Sequence, residues 1–134
     1  MSSTAPDPPR LLIVDDDRLF ASLLGRLLRG RFAVTSEETG RASVERLARG
    51  EEFDLVLVDL HLRDTSGVAL CAELLRRWPT LRSRLVTISG DAQPTVDLQL
   101  PHLIKPFLAD EVLAVAARLG VDGTRPAALE SGTK

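Results

Sequence analysis

The sequence predicts a doubly wound α/β domain, a parallel five-stranded sheet with helices on both faces. Three observations predict it. Short apolar runs, unbroken at residues 11–14 and 55–58 and interrupted by one threonine at 85–88, read as strands buried on both sides, since a half-solvated strand alternates apolar and polar residues. Segments with apolar residues at helical spacing separate these runs, and regular alternation of the two argues parallel strands joined by helical crossovers. Each run also stops abruptly at a polar residue, Asp15, Asp59 or Ser89. These lie at the carboxyl edge of such a sheet, where ligands bind in open α/β folds.

The elements follow in order. Residues 1–9, with three prolines, read as a disordered lead-in. The first strand, 11–14, ends in Asp15-Asp16-Asp17. Leu19, Phe20, Leu23, Leu24, Leu27 and Leu28 then repeat at helical spacing, with arginines on the other side, and Gly30 is placed to end that helix. Residues 32–36 form a weaker strand. A second helix, 41–49, turns Val44, Leu47 and Ala48 inward. The central strand, 55–58, stops at Asp59. A third helix, 67–78, carries Val68, Cys71, Leu74, Leu75 and Trp78, and Pro79 closes it. The fourth strand, 85–88, ends in Ser89-Gly90. Between Pro94 and Pro101 the apolar residues alternate, so any fourth helix is a turn or two at most. Residues 102–104 are a short fifth strand leading into Lys105-Pro106-Phe107, and a last helix spans 110–119. Residues 121–134 lose periodicity and read as a flexible tail or linker.

Five strands in about 110 residues suit the flavodoxin-like (βα)5 order 2-1-3-4-5, with the fourth helix shortened or degenerate. The domain then occupies residues 10–120. Strands 1 and 3 lie side by side in that order, which brings Asp15, Asp16 and Asp59 together.

Composition narrows the function. The chain has 134 residues, 44% hydrophobic and 27% charged, with a net charge of −2. That is one ordinary globular domain, with no electrostatic reason to expect nucleic acid or an anionic membrane as partner. It has no membrane-length apolar run and no signal-peptide pattern at the N-terminus. The single Cys71 excludes an internal disulfide and suits a reducing cytoplasm; its helical position reads as core. One Cys and two His allow no zinc constellation. Gly25 and Gly30 have the outer spacing of a phosphate-binding loop, but Arg31-Phe32 follows, and no nucleotide site is read there. Of 17 basic residues two are lysines, Lys105 and Lys134, leaving 15 arginines. Lys105 thus stands out, because lysine supplies a compact point charge that arginine does not.

Three clustered carboxylates repel one another and need a cation or raised pKa values. Oxygen-only donors of this kind are what Mg²⁺ prefers. Strands 4 and 5 would add a hydroxyl, Ser89, and an ammonium, Lys105. Carboxylate nucleophile, divalent metal, hydroxyl and lysine together are equipment for receiving a phosphoryl group on Asp59.

From about residue 11 to 119 the chain resembles the receiver domains of bacterial two-component response regulators. The motif residues stand in the family's order: an acidic pair, an Asp, a hydroxyl residue and Lys-Pro, after strands 1, 3, 4 and 5. The resemblance implies Asp59 as phosphoacceptor and Asp15, Asp16, Asp59 and the backbone carbonyl of His61 as Mg²⁺ ligands. It implies Ser89 as switch hydroxyl, Lys105 as phosphate-pairing lysine and a cis bond before Pro106. The implied partners are a histidine kinase or histidine phosphotransfer protein and a downstream protein target, with Leu19, Phe20 and the Phe107 region as candidates for kinase contact. Arg63 stands where many members have proline. His102 holds the switch position usually Tyr or Phe, so coupling to the output face is expected to be weaker or pH-sensitive. The short stretch from Ser89 to Lys105 implies a remodelled output face that disfavours the dimer many members form there.

Other readings have their own supports. Asp15, Asp16 and Asp17 also suit a helix N-cap, the role expected of Asp17. A Ser-Gly turn after a strand is common punctuation. A haloacid-dehalogenase-type phosphohydrolase needs a second Asp two residues after the nucleophile, where this chain has His61. A pseudo-receiver scaffold would keep the fold without phosphorylation. Nothing after residue 119 is long enough for an output domain, which suits a single-domain regulator or a segment of a longer protein.

Overall fold

The computed structural model describes residues 7–90, 98–107 and 109–121. Five parallel strands, β1 (Arg10–Val14), β2 (Ala33–Glu37), β3 (Leu55–Asp59), β4 (Leu85–Ser89) and β5 (His102–Ile104), form one sheet in the order β2-β1-β3-β4-β5. The helices are α1 (Arg18–Leu27), α2 (Gly40–Ala48), α3 (Gly67–Arg77) and α4 (Ala109–Arg118). The flavodoxin-like topology is as expected. A 3₁₀ turn at Pro79–Ser83, which the sequence reading did not foresee, follows α3 because Pro79 cannot continue the helical hydrogen bonding.

The alternation of a strand divides the core into two layers. Leu11, Ile13, Leu55, Leu57, Val86 and Ile88 face Ala21, Leu24 and Leu28 of the α1 segment and Val112, Val115 and Ala116 of α4. Leu12, Val14, Val56, Val58 and Leu85 face Leu47 of α2 and Leu70, Cys71 and Leu74 of α3. Cys71 is buried, and burial pushes its thiol up to about 12, which suits a packing residue rather than a nucleophile. The weak pattern of the second strand has its cause in β2's place at the sheet edge, where the strand is only partly covered.

The first helix corrects the sequence reading. Ala21, Leu24 and Leu28 are buried, but Leu19, Leu23 and Leu27 are 84%, 57% and 55% exposed. At 3.6 residues per turn the i, i+4, i+8 series at 19, 23 and 27 runs beside the buried face rather than on it. Asp17 caps α1, accepting the backbone N–H of Phe20 at 3.0 Å. The shortened fourth helix was expected over residues 91–101; 91–97 lie outside the described residues, and 98–101 carry no helix or strand. The expectations for residues 1–6 and 122–134 also lie outside them. Residues 7–9 are without regular structure.

Candidate functional site

The carboxyl ends of β1, β3, β4 and β5 meet in one pocket because β1 and β3 are neighbours at the switch point, with β4 and β5 beyond. Asp15 follows β1, Asp59 ends β3, Ser89 ends β4 and Lys105 follows β5. Asp15, Asp59 and Ser89 are buried. Carboxylate oxygens of Asp15, Asp16 and Asp59 all lie within 4.8 Å of one another, close enough to share one cation.

Lys105 Nζ sits 2.8 Å from Asp15 Oδ2 and donates to Asp59 Oδ2 at 3.1 Å. Asp15 Oδ2 is fully buried, and the Lys105 ammonium at 2.8 Å is its charged neighbour. The ammonium also lies 4.5 Å from the centre of the Phe20 ring, which packs edge-on against Phe107 at 5.2 Å. The Asp15 carboxyl is raised to about 6, chiefly by burial and also by the neighbouring Asp59, against the opposing pull of Lys105 and the N–H of Asp17. Burial works against the charge on Lys105, yet Asp15 and Asp59 together hold its pKa above the ordinary value.

The loop after β3 is built around its own backbone. The N–H of His61 donates to Asp59 Oδ1 at 2.9 Å, and the N–H of Gly67 donates to the carbonyl of Leu60 at 2.9 Å. A Cβ on Gly67 would stand 2.3 Å from Leu60 Cα and 2.4 Å from the Asp59 carbonyl oxygen, so only glycine opens α3 here. Arg63 Nε lies 3.6 Å from Asp16 Oδ2 at the exposed lip. The Lys105–Pro106 peptide bond is cis.

Two residues escaped the sequence reading. Asp64 accepts the backbone N–H groups of Gly40 at 2.9 Å and Arg41 at 3.0 Å, tying the loop to the start of α2. Thr87 Oγ1 lies 2.7 Å from His102 Nδ1, while His102 Nε2 lies 3.1 Å from Ser89 Oγ. A signal for Thr87 existed. It is a polar residue in a buried strand, two positions before Ser89 and so on the same sheet face.

A parallel sheet of this order with acidic, hydroxyl and lysine side chains at its carboxyl edge defines a receiver-type α/β module. The chain belongs to the response regulator receiver domain family, whose model matches residues 11–116. The transcriptional regulatory protein ZraR of Escherichia coli K12 is 29% identical over 131 residues, covering 90% of this chain and 30% of ZraR. The chain spans well under half the length of ZraR and of other curated relatives it matches. Among solved structures, a response regulator protein from Burkholderia pseudomallei with a phosphorylated aspartic acid, calcium ion and citrate is 31% identical. Its TM-score is 0.69, and the match covers 80% of this chain and 65% of that one. A CheY-like receiver domain protein from Methanospirillum hungatei has the same fold, with TM-score 0.74 at 22% identity over 85% of this chain and 95% of the other.

Proposed function

We propose that Asp59 accepts a phosphoryl group from a histidine kinase or histidine phosphotransfer protein and that the phosphorylated domain signals by contacting a downstream protein. The observation that carries the reading is Lys105 Nζ held between the carboxylates of Asp15 and Asp59 in a largely buried pocket. An Asp59 oxygen attacks phosphorus, and the P–O bond forms as the bond to the donor's imidazole nitrogen breaks. Negative charge spreads over the transferred group, and the Lys105 ammonium is placed to pair with it. Ser89 supplies a hydroxyl donor to the same group.

The donor set suits Mg²⁺. It is all oxygen, its carboxylates repel one another, and the buried Asp15 Oδ2 is balanced by a single ammonium shared with Asp59. Asp15, Asp16, Asp59 and the carbonyl of His61 would hold the ion. When bound, it supplies positive charge opposite the developing phosphoryl charge.

The kinase-facing surface is the exposed edge of α1, where Leu19, Leu23 and Leu27 form an apolar stripe beside the Phe20–Phe107 pair next to the pocket. The functional unit is residues 10–120, with 121–134 as a tail or linker. A cytoplasmic site of action goes with this reading, since a histidine kinase or phosphotransfer protein must reach Asp59; among the described residues no helix is long and apolar enough to cross a membrane.

The test is incubation with acetyl phosphate and Mg²⁺, followed by intact mass. The expected result is a single phosphoryl adduct that disappears in Asp59→Asn and in EDTA. A folded wild-type protein that takes no adduct, while another receiver is labelled in parallel, would overturn the reading in favour of a phosphorylation-independent scaffold.

A further inference from the structure

The two nitrogens of His102 each meet a hydroxyl of β4. The register pairs Thr87 with His102 and Ser89 with Ile104, so the imidazole lies along the same sheet face as both hydroxyls and spans them. Nδ1 is 2.7 Å from Thr87 Oγ1 and Nε2 is 3.1 Å from Ser89 Oγ. Thr87 and Ser89 are 2% and 1% exposed, so the direction of each hydroxyl proton is set inside the protein.

Thr87 has one hydroxyl proton and two acceptors near it. The Pro101 carbonyl is 3.3 Å away and already accepts the Thr87 backbone N–H at 2.9 Å. His102 Nδ1 is nearer and has no such claim on it from Thr87's backbone. The shorter contact takes the proton, since hydroxyl-donated bonds run shorter than N–H-donated ones. A neutral imidazole carries one N–H, so with Nδ1 accepting, the proton resides on Nε2. Nε2–H then donates to Ser89 Oγ at a distance ordinary for an N–H donor.

We propose that His102 is a positioning residue. Through the relay Thr87 O–H to Nδ1 and Nε2–H to Ser89 Oγ, it makes Ser89 an acceptor toward β5 and turns the Ser89 proton toward an incoming phosphoryl oxygen. This rests on the reading of Asp59 as phosphoacceptor. It gives position 102 a task that a phenyl ring cannot perform. A bare ring leaves the Ser89 hydroxyl without that N–H donor, so its proton is no longer set by β5.

Two measurements decide it. Imidazole ¹H–¹⁵N correlation spectra of the unphosphorylated protein report the tautomer of His102, assigned by comparison with His102→Gln. The expected result is Nε2–H; a ring protonated on Nδ1 alone overturns the relay, whether or not Asp59 can be labelled. The second is the rate of labelling by acetyl phosphate in a double-mutant cycle. Ser89→Ala is expected to slow labelling about tenfold in the wild-type background, the loss of one hydrogen bond to a charged group. In the His102→Phe background it should slow it about twofold or less, because the serine is no longer aimed there. His102→Gln, whose amide N–H reaches toward the place of Nε2, should recover most of the serine's effect. Equal Ser89→Ala effects in both backgrounds would mean that His102 acts only through packing, and would overturn the proposal. Wild-type protein that takes no label would instead overturn the phosphoacceptor reading, and with it the purpose of the relay. The tautomer measurement still stands apart from that result.

Discussion

The carboxylate of Asp64 accepts the backbone N–H of Gly40 at 2.9 Å, and that of Arg41 at 3.0 Å, so the loop leaving Asp59 is pinned to the first turn of α2. Asp64 acts beside the helix's own cap, Thr39, which accepts the N–H of Ala42 at 3.1 Å. Together they serve amide groups that a helix start leaves without partners. Burial pushes the Asp64 carboxyl up, but the N–H groups of Gly40 and Arg41 outweigh it, and the net pKa is lowered. Its stabilising share is therefore present above the unfolded carboxylate range and is lost as pH falls through the folded value. Asp64→Ala should cost about 1 kcal/mol at neutral pH, the ordinary worth of a cap. It should also speed amide exchange at residues 60–66. Urea denaturation and hydrogen exchange check both, and unchanged exchange would show that the pin does not order the loop.

Gly67 and Gly40 are both close-packed, but they differ in what surrounds them. A Cβ on Gly67 meets backbone atoms at 2.3 and 2.4 Å, whereas one on Gly40 meets the side-chain ends of Thr65 at 2.8 Å and Leu70 at 3.3 Å. Side-chain ends can shift; the backbone at Asp59 and Leu60 cannot without moving the pocket. Gly67→Ala should destabilise by about 3 kcal/mol, and Gly40→Ala by about 1 kcal/mol. Equal costs in denaturant melts would show that the β3–α3 loop has more room than its packing implies.

The sheet and the pocket were legible in the sequence for one physical reason. Strands buried on both faces leave apolar runs with at most one polar interruption, and the polar residues that end them, Asp15, Asp59 and Ser89, stand together at the sheet's carboxyl edge. The face of α1 was harder to read. Leucines at 19, 23, 24, 27 and 28 look alike in sequence, and only the helix's rotation against β1 and β2 separates the exposed from the buried. Asp64 was missed because its bonds run to backbone N–H groups 23 and 24 positions away, which leave no spacing pattern. The roles of His102 and Thr87 depend on the β4–β5 register, which a three-residue strand does not announce.

The exposed α1 stripe gives a prediction that separates partner recognition from chemistry. Leu23 is 57% exposed and contributes little to the core, so Leu23→Glu should leave stability within about 0.5 kcal/mol. Labelling by acetyl phosphate needs no docking and should be unchanged. Transfer from a histidine kinase should fall by about tenfold or more, as a buried interface residue replaced by a charge would cause. If both phosphodonors label the variant at wild-type rates, the stripe is not the docking surface.

Asp15 gives a pH prediction for the metal-free protein. Its carboxyl is raised from 3.8 to about 6, chiefly by burial, so the native state binds a proton that the unfolded chain has released between those values. Stability from this group is therefore full below the unfolded value and is lost as pH rises through about 6. Above that, a buried carboxylate near Asp59 is a net cost. Asp15→Asn imitates the protonated form and should stabilise the protein in EDTA at pH 8 by at most about 3 kcal/mol, the gain vanishing near pH 4. The same variant should lose Mg²⁺-dependent labelling. Urea melts across that range check the first part, and a gain that stays constant with pH would show that Asp15 is not the titrating group.

Lys105 and a divalent cation answer the same need. The ammonium lies 2.8 Å from Asp15 and 3.1 Å from Asp59, neutralising carboxylates that would also ligate the metal. Lys105→Met keeps the length of the stem but leaves buried carboxylates without their counter-charge, which should cost on the order of 3 kcal/mol in EDTA. Mg²⁺ should return much of that loss, because it binds only the fold and meets less competition for the same oxygens. Its affinity by titration calorimetry should rise by about tenfold, corresponding to about 1.4 kcal/mol of removed charge competition. Phosphoryl labelling should nevertheless fall, since the charge that pairs with the transferred group is gone. A variant whose Mg²⁺ affinity matches the wild type would show that the lysine and the metal do not share these carboxylates.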